Sequence, residues 1–131
     1  MLEARTISIS IGRPWREIYE AIWRPEIFPK WASGLSASSM EQDGEWWKAE
    51  GPDGPIRIRF TGHNPFGIMD HHVDPGSGSV IYVPMRVVAN GDGAEVLLTL
   101  FRQPGMSEAQ FLADAEWVQR DLLALRALFT R

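Results

Sequence analysis

The sequence contains no cysteine and no apolar run near the roughly 20 residues that a membrane-spanning helix needs. The first absence excludes disulfide bonds, thiolate metal ligands and thiol nucleophiles. The formal net charge of the 131 residues is −4 and the basic residues are scattered, which argues against attraction to nucleic-acid phosphates. The amino-terminal segment alternates polar and apolar residues, unlike a signal peptide. We therefore expect no nucleic-acid partner, no membrane span and a cytoplasmic location.

Motifs for common catalytic and cofactor chemistry are also absent. No serine or threonine lies in a nucleophile-elbow pattern. The glycine-rich stretches 76–78 and 91–93 join strand to strand and open no phosphate-binding helix. The adjacent residues His71 and His72 would point to opposite faces of a strand, and no third ligand follows at a metal-binding spacing. The sequence therefore predicts no metal and no cofactor.

The last quarter of the chain has the pattern of one long amphipathic helix. Its apolar residues recur at helical spacing, and they are Phe111, Ala115, Val118, Leu122, Leu125 and Phe129. Ser107 and Gln110 form a capping-box pattern, and Met106 with Phe111 has the spacing of a hydrophobic staple. We predict a helix from Ser107 to Arg131 that must bury its apolar face on the preceding strands.

The first third of the chain predicts one strand and two short helices. Residues Arg5–Ile11 alternate strictly, which is typical of a half-buried strand. Pro14 then stands where a helix tolerates proline, and this helix must end before Pro25. A second short helical turn is predicted over Glu26–Trp31.

Turn signals divide the middle of the chain into six further strands. The segments are Leu35–Gln42, Glu45–Glu50, Ile56–Gly62, Phe66–Val73, Ser79–Ala89 and Ala94–Arg102. About seven strands result, six of them consecutive antiparallel neighbours, with helices only after the first strand and at the end. The fold class is α+β, and residues 1–131 form a single domain without linkers or low-complexity tracts.

The register of two hairpins decides which side chains face the final helix. A turn at residues 52–55 pairs Trp47 with Phe60 and Ala49 with Ile58, so these four residues share the inner face. For residues 66–102 two faces are possible. One set is Ile81, Val83, Met85, Val87, Val96, Leu98 and Leu100, which gives a wholly apolar interior. The other set is His71, Tyr82, Pro84, Arg86, Leu97, Thr99 and Phe101, and a turn at residues 74–78 would put His71 near Tyr82. Because an error of one residue exchanges the two sets, both remain open.

A polar interior would supply candidate ligand-binding residues. The candidates are Trp31, His71, Tyr82, Arg86, Thr99, Phe101, Ala115 and Val118. A buried Arg86 would need a partner, which is Asp70, Glu95 or a ligand anion. The six tryptophans are either core residues or the walls of an apolar pocket. The small side chain of Ala115 is where the helix would leave room for a ligand.

The order of elements resembles the START-like, or SRPBCC, superfamily. The resemblance is carried by Ile7–Ile11 running into Pro14–Tyr19, by Ile27–Trp31, and by Gly67–His71 followed by strands and the final helix. The resemblance covers essentially the whole chain. Members of the superfamily include pollen-allergen-type carriers, lipid-transfer domains, polyketide cyclases and heat-shock ATPase activators. It implies a helix-grip fold, in which a curved antiparallel sheet wraps around the last helix and encloses an apolar cavity. The family has no universal catalytic residues.

Three functions follow from this reading. The first is binding of a small hydrophobic or aromatic molecule between the sheet and the final helix. The second is a polyketide cyclase or dehydratase-like enzyme, in which His71, Arg86, Tyr82 or Asp70 polarises a carbonyl or moves a proton. The third is a protein-interaction module that uses the outer face of the sheet and requires an exposed apolar patch. Binding is favoured, and the sequence does not indicate an oligomeric state.

Overall fold

The computed structural model describes residues 1–35 and 39–130 and confirms an α+β fold. Its eight strands are β1 (Ala4–Ile11), β2 (Glu41–Asp43), β3 (Trp46–Gly51), β4 (Gly54–Phe60), β5 (His71–Asp74), β6 (Ile81–Val83), β7 (Met85–Asn90) and β8 (Gly93–Phe101). The α-helices are α1 (Trp15–Ile22) and α2 (Glu108–Ala127), and 3-10 helices cover Pro25–Lys30 and Ser33–Leu35. No helix in the described ranges is long and apolar enough to cross a membrane.

The strands form two antiparallel sheets that meet around Pro84. One sheet has the order β1-β8-β7, and the other has the order β2-β3-β4-β5-β6. Pro84 lacks a backbone N–H, so it divides the predicted strand Ser79–Ala89 into β6 and β7. Its carbonyl accepts a hydrogen bond from the Thr99 amide at 3.0 Å, which keeps the two sheets joined at the bend. This break explains why there are eight strands and not seven.

The segment before β5 is a loop and not the predicted strand Phe66–Val73. The Asn64 side chain accepts hydrogen bonds from the amides of Phe66 (3.0 Å) and Ile68 (3.1 Å). Its Nδ2 also donates to the Ile68 carbonyl at 2.9 Å. Gly67 has φ +69°, a left-handed conformation that favours glycine. The strand therefore starts only at His71.

The predicted strand Leu35–Gln42 is also shorter in the structure. Leu35 ends a 3-10 helix, and β2 begins at Glu41. Residues 36–38 of that prediction lie outside the described residues. The predicted helical turn over Glu26–Trp31 is a 3-10 helix that starts one residue earlier, at Pro25.

The final helix α2 forms as its local pattern predicts. Ser107 is its N-cap, and the Ser107 side chain accepts a hydrogen bond from the Gln110 amide at 3.1 Å. The helix buries Phe111, Ala115, Leu122 and Leu125 and contacts β1 and β8. Its last helical residue is Ala127, four short of the predicted end, and residue 131 lies outside the described part of the chain.

The hairpin of β3 and β4 has the predicted faces with a different register. Ala49 pairs with Ile56 and Trp47 with Ile58, a shift of two residues from the prediction. The shift arises because only two residues separate Gly51 from its partner Gly54, which makes a tighter turn than the one expected. Side chains alternate along a strand, so a shift of two leaves the same residues facing inward. Ala49 and Ile58 are indeed buried.

The open question of which face of residues 66–102 points inward is resolved in favour of the apolar set. Buried members of that set are Val83, Met85, Val87, Val96 and Leu98. His71 joins them, because it pairs with Val83 while His72 pairs with Tyr82. The predicted neighbour of Tyr82 was His71, so this register was wrong by one residue. The interior is therefore apolar with one buried histidine.

Candidate functional site

A cavity of ≈ 560 Å³ lies between the inner face of the sheet and α2. Its floor is formed by aromatic and aliphatic side chains of the 3-10 region and of strands β4, β5, β6 and β8. These floor residues are Phe28, Trp31, Leu35, Ile58, His71, Val73, Val83, Leu98 and Leu100. Its rim is formed by the β3–β4 turn and by α2, where Gln110 and Trp117 are exposed. The cavity therefore extends from the buried core to solvent.

Another depression, of ≈ 470 Å³, lies along strands β2, β3 and β4 and the end of β5. Most of its wall residues are charged or polar, and they include Glu41, Lys48, Arg57 and Asp74. It does not involve α2. The cavity beneath α2 is the site that combines a buried apolar floor with an opening, and it is the candidate ligand site.

Three of the eight candidate residues line this cavity, and five do not. Trp31, His71 and Val118 are part of its wall. Ala115 is buried in the core under α2 and is not part of the wall, so it does not create the space that was expected there.

The remaining four candidates lie on the outer face of the sheet, which corrects their expected inward position. They are Tyr82, Arg86, Thr99 and Phe101. Tyr82 is 41% exposed. The Thr99 hydroxyl forms a hydrogen bond with the Thr6 hydroxyl across β1 and β8. The physical reason is strand alternation, because the residues on either side of each of them in β6, β7 and β8 face inward.

Trp31 contributes a buried polar group to the cavity wall. The residue is 4% exposed, and its ring lies against Phe28 with the centroids 5.0 Å apart. Its indole Nε1–H is buried and has no hydrogen-bond partner among the described residues. An indole nitrogen only donates, so this group requires an acceptor.

Apart from the aromatic residues Tyr19 and Trp31, His71 is the one buried residue with a polar side chain among those described. Its Nδ1 lies 3.0 Å from the Met69 carbonyl oxygen, which only accepts, so Nδ1 carries the proton. Burial lowers the pKa of His71 below its ordinary value, and the Met69 hydrogen bond opposes this only in part. The ring packs against Phe28 and Phe60, with centroids 5.4 and 5.9 Å away. His71 is therefore a neutral imidazole at neutral pH, with Nε2 as an acceptor.

A hydrogen-bonded network at the rim was not predicted from the sequence. Trp117 Nε1 donates to Ser33 Oγ at 2.7 Å, and Ser33 Oγ donates to Asp121 Oδ1 at 2.7 Å. Burial raises the pKa of Asp121, and the hydrogen bonds from Ser33 oppose that rise. The sequence does hold a signal for this network, because Asp114, Trp117 and Asp121 recur at helical spacing and so lie on one face of α2. The network ties α2 to the 3-10 helix Ser33–Leu35 beside the cavity.

The polar residues expected inside form a satisfied cluster outside. Asp70 accepts hydrogen bonds from the Tyr82 hydroxyl (2.9 Å), from the Met85 amide (2.9 Å) and from Arg86 Nη1. The hydrogen bond to Asp70 raises the pKa of Tyr82. Asp70 is thus the partner of Arg86, as one of the three alternatives proposed. The cluster connects β5, β6 and β7 at the Pro84 bend and does not reach the cavity.

The arrangement can hold an apolar molecule, and His71 supplies a hydrogen-bond acceptor in the wall. The N–H of Trp31 has almost no accessible surface, so it does not open onto the cavity. Where residues are described, no three His, Asp or Glu side chains come together as a metal site. Any acid–base chemistry inside the cavity would have to use His71 or the rim carboxylates, because Tyr82, Arg86 and Asp70 lie outside it.

Comparison with solved structures shows likeness of fold at low sequence identity. A structure of an uncharacterized protein from Bacillus thuringiensis matches with a TM-score of 0.76 and 16% identity, covering 98% of this chain and all of that one. Ara h 8.0201 matches with a TM-score of 0.70 and 12% identity over 98% and 97% of the two chains. The di-domain ARO/CYC protein BexL, from the BE-7585A biosynthetic pathway, matches with a TM-score of 0.73 and 14% identity over 96% of this chain and 46% of BexL.

Comparisons at the level of sequence give no match. No family model matches the chain, and no curated protein matches it.

Proposed function

We propose that this chain, which has the START-like helix-grip fold, binds a small hydrophobic or aromatic molecule in its cavity. We also propose that residues 1–131 form one domain. The observation that carries the proposal is the ≈ 560 Å³ cavity beneath α2, with its aromatic floor and exposed rim. Ligand pockets typically measure roughly 300–1,000 Å³ and are mostly apolar with a few polar groups. His71 is such a group here. The cysteine-free composition still leads us to expect a cytoplasmic location.

The aromatic residues of the cavity wall support an aromatic ligand. Phe28 is one of them, with its ring centroid 5.0 Å from that of Trp31 and 5.4 Å from that of His71. Tilted and edge-on contacts of this kind can extend to one more flat ring. Trp117 of α2 also lines the cavity.

An uncharged dye tests the proposal. N-phenyl-1-naphthylamine gains fluorescence in apolar surroundings, and we expect saturable binding to the wild-type protein. Replacing Val118, a wall residue on α2, with tryptophan narrows the cavity and should weaken dye binding several-fold. Leu123→Trp is the matched control, because Leu123 is exposed on the same helix. An unchanged dye affinity in a folded Val118→Trp protein would contradict the proposal.

A cyclase-like enzyme is the alternative, and one observation favours it. The neutral His71 presents an unprotonated Nε2 in the cavity wall, which suits a general base. Native mass spectrometry of molecules that co-purify with wild type and with His71→Gln tests this alternative. The variant should accumulate a precursor of a different mass if His71 takes part in catalysis. The same mass in both proteins would leave binding alone as the function.

A further inference from the structure

Trp117 holds an aromatic ring at the mouth of the cavity. The side chain is 37% exposed and belongs to the cavity wall. Its Nε1 donates to Ser33 Oγ at 2.7 Å, and its Cζ2 atom lies 3.7 Å from where a Cβ on Gly34 would be. One edge of the indole is therefore fixed against the 3-10 helix Ser33–Leu35, while the side chain keeps a surface open to solvent.

Two carboxylates flank this ring on the same helix. Asp114 lies three residues before Trp117 and Asp121 four residues after it, so the three side chains share one face of α2. Both aspartates belong to the cavity wall. Asp114 accepts a hydrogen bond from Gln110 Nε2 at 2.7 Å, and Asp121 accepts from the amide and the hydroxyl of Ser33. The mouth therefore carries an aromatic ring between two oriented carboxylates.

No cation within the cavity balances these carboxylates. Among the described residues that line the cavity, none is lysine or arginine, and Asp53 of the β3–β4 turn adds a third carboxylate to the wall. None of the three aspartates forms an ion pair with another described residue. Burial raises the pKa of Asp121, and Arg120 opposes that rise but is exposed and lies outside the wall. A cation in the mouth would therefore meet negative charge that the wall itself does not neutralise.

The floor of the cavity fits the uncharged part of such a ligand. The side chains there are aromatic and aliphatic, and His71 among them is neutral at neutral pH. A charged group would lose its hydration on entering this floor without gaining a partner. The charged end of an amphipathic ligand must therefore stay at the mouth, where water and the rim side chains remain in contact with it.

We propose that the mouth of this cavity binds an organic ammonium group against Trp117, Asp114 and Asp121, so that the preferred ligands are aromatic amines and not aromatic acids. The ring of the ligand packs on the floor, and its ammonium group lies at the Trp117 indole, where cation–π attraction and two carboxylates stabilise it. A carboxylate in the same position meets like charges instead. This inference rests on the proposed function, because it defines the ligand class of the same cavity.

Three naphthalenes that differ in the polar end group test this selection. They are 2-(2-naphthyl)ethylamine, 2-(2-naphthyl)ethanol and 2-naphthylacetate, and their dissociation constants are measured by calorimetry at pH 7.5. The amine is protonated at this pH and should bind roughly tenfold more tightly than the alcohol. The acetate should bind more weakly than the alcohol. High salt should reduce the preference for the amine, because the mouth is open to solvent and salt screens exposed charges.

Matched charge variants locate the ammonium site. Asp114→Asn combined with Asp121→Asn keeps an oxygen at each position for the existing hydrogen bonds and should bring the amine to within about twofold of the alcohol. Glu108→Gln combined with Glu116→Gln is the control, because it removes the same charge from exposed positions of α2 outside the cavity, so it should keep the wild-type ratio. Trp117→Leu removes the ring but keeps an apolar side chain, so the amine should lose several-fold in affinity relative to the alcohol.

The outcomes separate this inference from the proposed function. Equal wild-type affinity for the amine and the alcohol would overturn the ammonium site and leave the proposed function standing. The same holds for a preference for the acetate, and for an amine-to-alcohol ratio that the double variant of Asp114 and Asp121 leaves unchanged. Failure of all three naphthalenes to bind would refute the proposed function as well.

Discussion

The stability of the protein should fall in mild acid because His71 is buried. Its pKa is lowered in the folded state by burial from the ordinary value of 6.5. Below pH 6.5 the unfolded chain therefore binds a proton that the folded chain does not. Stability is fully present above pH 6.5 and is lost as the pH falls from 6.5 towards the folded-state pKa, since protons then favour the unfolded state.

The size of this effect is set by the proton that only the unfolded chain binds. If His71 stays neutral in the folded protein, linkage lowers the free energy of unfolding by about 1 kcal/mol between pH 7.5 and 5.5. Asp121 acts in the opposite direction, because burial raises its pKa and acid then favours its folded form. The difference between wild type and a His71 variant from pH 7.5 to 5.5 therefore separates the histidine from Asp121.

Urea unfolding monitored by tryptophan fluorescence at several pH values measures the effect. His71→Asn removes the titration and retains a side-chain amide that can donate to the Met69 carbonyl, so its stability should change little between pH 7.5 and 5.5. Leu123→Asn is the control, because Leu123 is exposed and carries no titratable group, so this variant should keep the wild-type slope. The reasoning is refuted if wild type and His71→Asn lose the same stability over this range.

Two further predictions concern the loop before β5 and the outer cluster. Gly67→Ala should cost at least about 2 kcal/mol of unfolding free energy, because Gly67 has a positive φ and an added Cβ would collide with the Val87 carbonyl. Thermal unfolding measures this loss, and Gly76→Ala is the control, because Gly76 also has a positive φ but has no atom near an added Cβ. An equal loss at both sites would contradict the collision. Arg86→Gln should leave the affinity for an uncharged dye unchanged, because Arg86 lies outside the cavity with Asp70. A several-fold loss in a dye titration would return Arg86 to the site.

Local patterns were sufficient for the helices and for the first strand. The apolar spacing of α2 and the Ser107 cap involve residues within two turns of one another, so no distant contact is needed to read them. The alternation in β1 gives its inner face directly, and Ile7, Ile9 and Ile11 are buried as the alternation predicts. The β3–β4 hairpin also kept its predicted face, since its register error was an even number of residues.

The candidate site was harder to predict, because it depends on whether a register shift is odd or even. The turn expected at residues 74–78 placed His71 near Tyr82, whereas His71 pairs with Val83 and the connection between β5 and β6 spans residues 75–80. That single step decided whether Tyr82, Arg86, Thr99 and Phe101 pointed into the cavity or out of it. Trp31 and Val118 line the cavity, and their positions do not depend on this register.

The sequence by itself determined an α+β chain without disulfides, the closing helix α2, the inner faces of β1 and of the β3–β4 hairpin, and the resemblance to a helix-grip fold. These features follow from periodicity, capping and turn chemistry, which act between neighbours in the chain. Only the tertiary structure decided the register across Pro84, the position of the polar cluster outside the sheet and the unpaired N–H of Trp31. Those features depend on contacts between segments far apart in sequence, such as the hydrogen bonds from the Val87 amide to the Gly67 carbonyl and from the Met69 amide to the Met85 carbonyl, both 2.9 Å.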